Sequence, residues 1–241
     1  CLRVGGSARR EPLMDFIFML TRHDSTIEDA GDLIDAVCDL GVTHIGFKDV
    51  GVPPATMREL VEKIKRRDAL SYLEVVSTAH DAMLRSLEVA SDLGVDCVLG
   101  GTDLDAALRI LGDLSGYFPF PGHPIGHPTR LEGSPALVAD HCRKARAMGC
   151  GGVDLLAYRA THADPLYLVR AARAALHGGK LIVAGSVRTK QQIDILAKAG
   201  VDACTIGSAV FEGAFSPTKG SLRGQIEDIL AACNNAPKMS P

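Results

Sequence analysis

The chain has 241 residues, of which 46% are hydrophobic and 23% charged, with a formal net charge of -3 and a pI near 6.2. That composition excludes a disordered chain, and the charge leaves no global basic field to hold nucleic acid through its phosphates. No apolar run reaches the roughly 18 residues of a membrane span, so neither a membrane nor a nucleic-acid partner is expected.

Residues 1–13, "CLRVGGSARREPL", lack the long apolar stretch of a secretory signal and read as a disordered extension. Their Arg3, Arg9 and Arg10 against the single acid Glu11 leave a transit peptide open. From Met14 onward, strand-like apolar runs fall at 15–20, 44–50, 70–77, 95–100, 117–120, 152–158, 181–187 and 202–207. Helical spacing fills the gaps at 26–40, 54–67, 79–93, 103–112, 135–147, 165–176 and 189–199, and again at 219–232. Ser25 or Thr26 is the expected cap of the first helix, and Asp164 before Pro165 that of the sixth. The tail 233–241, ending "NNAPKMSP", reads as disordered.

Strands and helices thus alternate eight times. Gly41, Gly94, Gly149 and Gly200 each end a helix before an even-numbered strand, about 53 residues apart, so the repeat is two strand-helix units. A fourfold repeat of that kind fits a closed ring of eight parallel strands, and the expected fold is a single-domain (β/α)₈ TIM barrel over 14–232. An open doubly wound sheet is the competing architecture. The seven cysteines are scattered and never spaced C-x-x-C, which points to a reducing, cytoplasmic setting rather than a disulfide framework or zinc knuckle.

Gly185-Ser186 and Gly207-Ser208 close the seventh and eighth strands. In such barrels the ends of these two strands commonly bind phosphate. Glycine lets the main chain approach the anion, serine adds a hydroxyl donor, and a short helix from Ser208 would aim free N–H groups at it. The stretch "IVAGSVRTKQQIDILAKAGVDACTIGSAVF" resembles the C-terminal quarter of the ribulose-phosphate-binding barrels, which include histidine- and tryptophan-biosynthesis isomerases, pentose-phosphate epimerases and sugar-phosphate decarboxylases. The resemblance implies that Gly185, Ser186, Gly207 and Ser208 bind a substrate phosphate. Its limits are equally specific. "FMLTRHD" and "FPFPGHP" stand where the histidine-pathway isomerases carry acids on strands one and five, and the epimerase metal ligands of strands two and three are missing.

Strand alternation turns His44, Gly46 and Lys48 into the barrel, with Glu74 on the neighbouring strand. Opposite charges facing each other in a barrel interior point to a catalytic couple: Glu74 would move a proton while Lys48 stabilises an enolate oxygen or forms a Schiff base. A structural salt bridge is the plain alternative. Tyr158 and Arg22 are expected to contact substrate, His123 in the long loop after strand five to serve as acid or base, and Asp154 to be a structural partner. Pro124 and Pro128 deny His123 and His127 a shared helical face, so no metal is expected. The reading is an enzyme, a phosphosugar isomerase or lyase, possible as a homo-oligomer, acting without cofactor on a small phosphorylated carbonyl compound. The alternatives are an FMN-dependent oxidoreductase using the same cradle, or a non-catalytic phospho-ligand-binding barrel.

Overall fold

Eight short apolar strands, each followed by a helix, lie parallel, and across the sheet they run sixth, seventh, eighth, first, second, third, fourth, fifth in chain order. In this computed structural model, which describes residues 13–237, they are β1 (Asp15–Met19), β2 (His44–Lys48), β3 (Leu70–Val75) and β4 (Cys97–Gly100), then β5 (Tyr117–Phe118), β6 (Gly152–Leu155), β7 (Lys180–Val183) and β8 (Ala203–Ile206). The ring is nearly closed: past the end of β5, the Pro119 carbonyl accepts a hydrogen bond from the Asp154 N–H of β6 at 3.0 Å. The expectations for residues 1–12 and 238–241 lie outside the described residues.

Alternation divides the core into two layers. Ile17, Met19, Tyr72, Leu99, Phe118, Ile182 and Ala203 fill the barrel interior. The opposite parity, including Phe18, Phe47, Leu73, Val98 and Val183, packs outward against the helices. Each such fully buried large side chain stabilises the fold by about 1.5–3 kcal/mol. The helices are α1 (Ala30–Val37), α2 (Pro54–Lys65), α3 (His80–Leu93), α4 (Leu104–Leu111), α5 (Pro135–Ala147), α6 (Pro165–Ala175), α7 (Lys190–Lys198), the single turn α8 (Ser208–Phe211), and α9 (Leu222–Asn234). Gly41, Gly94, Gly149 and Gly200 all sit at left-handed φ, between 60° and 90°, where the helices stop. Asp164 caps α6 as expected, its carboxylate accepting from the N–H groups of Leu166 and Tyr167. No helix among the described residues is long and apolar enough to cross a membrane.

Three local expectations give way to backbone geometry. Ser25 and Thr26 do not cap α1. They pair with Thr21 and Arg22 in a small antiparallel hairpin, turned by His23 and Asp24 at φ of 49° and 63°, and α1 starts only at Ala30. The sixth strand stops at Leu155, where its pairing with Val183 ends, and the chain winds into a 3₁₀ turn over Ala157–Arg159. At the C-terminus α9 runs two residues beyond the expected boundary, because its apolar face continues through Cys233 and on to Ala236, both buried.

Candidate active site

Every strand delivers its C-terminal end to the same rim. There the chain ends of β7 and β8 place Gly185, Ser186, Gly207 and Ser208 around one cavity of about 170 Å³. Lys48 and Glu74 line its floor, Asp24 and Arg159 its wall. Gly185 and Ser186 are both left-handed, with φ of 76° and 61°, which swings the loop away from the strand and bares its backbone. A Cβ on Gly207 would come within 2.6 Å of Thr21 Oγ1 and 3.0 Å of two backbone carbonyls, so only glycine fits. Ser208 and the following residue form the first turn of α8, whose leading N–H groups have no intrahelical acceptor.

Lys48 and Glu74 are register partners on β2 and β3, and Lys48 Nζ lies 3.6 Å from Glu74 Oε1. A nearer partner is Asp24, at 2.5 Å. Arg159 closes on the same carboxylate with two N–H bonds of 2.9 Å each, and donates a third, of 3.1 Å, to the Thr129 carbonyl. Lys48, Glu74 and Asp24 are all buried, as is Asp154. Burial pushes the Asp24 carboxyl up, but the hydrogen bonds and charges of Arg159 and Lys48 outweigh it and hold it well below the usual carboxylate range. Burial raises Glu74 above its ordinary value, with Lys48 opposing and Asp24 adding to the rise. Asp154 is raised further, by burial first and Glu74 second.

Asp49, next to Lys48, faces the other way. Its carboxylate accepts from the Val76 N–H and the Ser86 hydroxyl, tying α3 to the end of β3. At the mouth of the cavity Arg188 and Glu212 form a 2.6 Å ion pair, so the acid beside the cradle is neutralised by a lining residue.

The structure therefore gathers six of the nine residues singled out from the sequence: Lys48, Glu74 and the four of the two Gly-Ser ends. It does not bring the other three into the cavity. In the hairpin after β1, Thr21 takes the cavity side, so Arg22 projects to solvent with its guanidinium 5.3 Å from the Phe211 ring centroid. His123 is exposed in a second hairpin, His123–Ile125 with Arg130–Glu132, and its ring stands edge-on to His141 at 6.0 Å. Tyr158 lines a neighbouring groove with Thr129, Arg130 and His162, because the 3₁₀ turn hands the cavity position to Arg159. Asp154 is the converse case, a residue assigned to structure that sits beside the reactive pair. Nothing in the alternation of residues marks Arg159. Asp24 had one signal, since a His-Asp pair directly after a strand tolerates the left-handed turn it adopts. Among the described residues no three His, Cys, Asp or Glu side chains are grouped to hold a metal ion.

No protein-family model matches the chain, and no curated protein does either. Solved structures do resemble it. Orotidine 5'-phosphate decarboxylase from Pyrococcus horikoshii superposes with a TM-score of 0.65 at 16% identity, over 92% of this chain and 100% of that one. Thiamine phosphate pyrophosphorylase from Pyrococcus furiosus gives 0.61 at 16% identity, covering 92% and 95%. (S)-3-O-geranylgeranylglyceryl phosphate synthase from Thermoplasma acidophilum, solved with sn-glycerol-1-phosphate, gives 0.60 at 13% identity, covering 92% and 94%. At these identities the likeness is one of fold. In fold the chain is a single-domain (β/α)₈ barrel.

Proposed function

We propose that the protein is an enzyme acting on a small phosphorylated, sugar-like carbonyl compound through an enolate, as an isomerase or lyase. One observation carries this reading: a single cavity is lined both by the two Gly-Ser strand ends and by the Lys48–Glu74 pair. The three similar structures are all, by name, proteins of phosphorylated compounds, which supports the same substrate class. The substrate phosphate lies against the exposed backbone of Gly185-Ser186 and Gly207-Ser208, and the carbonyl oxygen points to Lys48 Nζ. Glu74, whose proton affinity burial raises, takes a proton from the carbon beside the carbonyl. The resulting enolate oxygen is stabilised by the Lys48 ammonium in a water-poor site. Return of the proton from Glu74 to the former carbonyl carbon, while the proton of the adjacent hydroxyl passes to the enolate oxygen, completes an isomerisation. In a lyase Glu74 instead takes the proton of the β-hydroxyl, the carbon–carbon bond breaks to release that carbon as a carbonyl compound, and the enolate left behind is protonated by Glu74.

The 2.5 Å pairing of Lys48 with Asp24 supports this electrostatic role over a Schiff base, which needs a free amine. The cavity, about 170 Å³, is small beside the roughly 300–1,000 Å³ of sites for drug-sized ligands, which favours a phosphorylated short-chain compound over FMN. A buried ion pair in the floor favours an enzyme over a passive phospho-ligand barrel. The test pairs phosphorylated sugars with their unphosphorylated counterparts, reading thermal stabilisation and exchange of the carbon-bound hydrogen in D₂O. Stabilisation and exchange confined to phosphorylated compounds are expected; indifference to every phosphorylated compound overturns the proposal.

A further inference from the structure

Five ionisable groups meet in the floor and wall of the site: Asp24, Lys48, Glu74, Asp154 and Arg159. Two are cations and three are acids, so full ionisation would leave one uncompensated negative charge among side chains that are at most 6% exposed for the three acids and Lys48. A carboxyl in such a place keeps its proton rather than stand as an unpaired ion. Asp24 is not the group that keeps it, because Lys48 and Arg159 both bind its carboxylate directly. The proton belongs to Glu74 or Asp154, and their surroundings differ. Glu74 has Lys48 at 3.6 Å. Asp154 is wholly buried, and neither of its carboxyl oxygens has any hydrogen-bond partner. Its main chain is pinned at the β5–β6 seam by the bond to Pro119, so its side chain stays beside Glu74. Burial and the nearby Glu74 charge both act to keep it protonated, against the weaker pull of Lys48 and Arg159.

We propose that Asp154 keeps a proton at neutral pH and acts as a positioning residue for Glu74, its uncharged carboxyl leaving Glu74 as the one acid in the floor that faces Lys48 alone and cycles between base and acid. A charged Asp154 would repel the Glu74 carboxylate and lock it in the protonated form, unable to accept a proton from carbon. The catalytic use of this arrangement rests on the proton-transfer reading above. The protonation itself does not, so it is tested without substrate.

Infrared spectroscopy of the full chain at neutral pH reads it directly. The expected spectrum has a carbonyl stretch from a protonated, unbonded carboxyl, which shifts when aspartate is ¹³C-labelled at its carboxyl and stays put when glutamate is so labelled. Asp154→Asn removes the band. Should that variant fail to fold, Asp49→Asn makes the same assignment by leaving the band in place, since Asp49, half-buried, is the other aspartate raised above its ordinary value. A band that follows the glutamate label, survives Asp154→Asn, disappears in Asp49→Asn, or is missing from the unaltered protein overturns the proposal.

Discussion

Asp24 and Lys48 form a 2.5 Å ion pair that joins the hairpin after β1 to the end of β2, and Arg159 binds the same carboxylate from beyond β6. One acid thus ties together three segments that are distant in sequence. Asn tolerates the left-handed backbone that Asp24 adopts, so Asp24→Asn removes the charge and leaves the turn intact. The buried Lys48 and the half-buried Arg159 then lose their shared partner, and a loss of about 3 kcal/mol in urea denaturation is expected. The acid limb supplies the sign. Asp24 is held below the unfolded value of about 3.9, so its contribution is present above that pH and lost as pH falls through and below it. Asp24→Asn should flatten that part of the stability curve. An unchanged acid limb contradicts the pairing.

Much of this architecture is legible in the sequence, for a simple reason. Inside a strand or helix the side chain's direction follows from a fixed period, so the two-layered core, the glycine-ended helices and the inward Lys48 and Glu74 can all be counted off. Counting stops where the strand stops. Extending that parity past the end of β6 gives Tyr158, where a 3₁₀ turn takes over, while Arg22 and His123 rest only on their place in the connections after β1 and β5, which fold into hairpins. The same turns bring in Asp24 and Arg159, which no periodic rule selects. Asp154 was legible in its orientation but not in its role, since the distance along one strand does not reveal which residue across the barrel it meets.

Cradle and floor are separable by mutation. Lys48→Met and Glu74→Gln alter the floor while leaving Gly185, Ser186, Gly207 and Ser208 untouched, and Arg159 still binds Asp24 in the lysine variant. Binding of inorganic phosphate, measured by calorimetry, should therefore change by no more than about threefold, about 0.65 kcal/mol. Hydrogen exchange on a phosphorylated substrate should fall by about 10²–10⁴-fold, the usual worth of a positioned acid or base. Equal losses in binding and exchange would merge the two functions and refute the division.

The Glu74 and Asp154 carboxyls act on stability in the opposite sense to Asp24. Both are raised in the folded protein, so between the unfolded values near 4 and their own titration the native state binds more protons than the unfolded chain. Stability then falls as pH rises through that window, by up to about 1.4 kcal/mol per pH unit for each proton. Asp154→Asn removes one such proton, and its denaturation midpoint should drop less steeply with pH than that of the unaltered protein. Parallel curves for the two proteins would show that Asp154 ionises in the native state as it does in the unfolded chain.

Gly207 tests the cradle itself. An added methyl there points at Thr21 Oγ1 and at the carbonyls of Met19 and Thr21, backbone that is held by the start of the hairpin and has nowhere to retreat. Overpacking of this kind costs about 1–3 kcal/mol, and relief pushes the end of β8 away from that of β1 and changes its setting against β7. Gly207→Ala should therefore lose both stability and the thermal shift that phosphorylated ligands produce, because the two strand ends no longer converge on one anion. Gly94→Ala is the control: its added methyl meets nothing, its left-handed φ of 60° destabilises the variant through the backbone without touching the cradle, and it lies at the opposite end of the barrel. If both variants keep the ligand-dependent shift, the main chain at β8 is not where the phosphate binds.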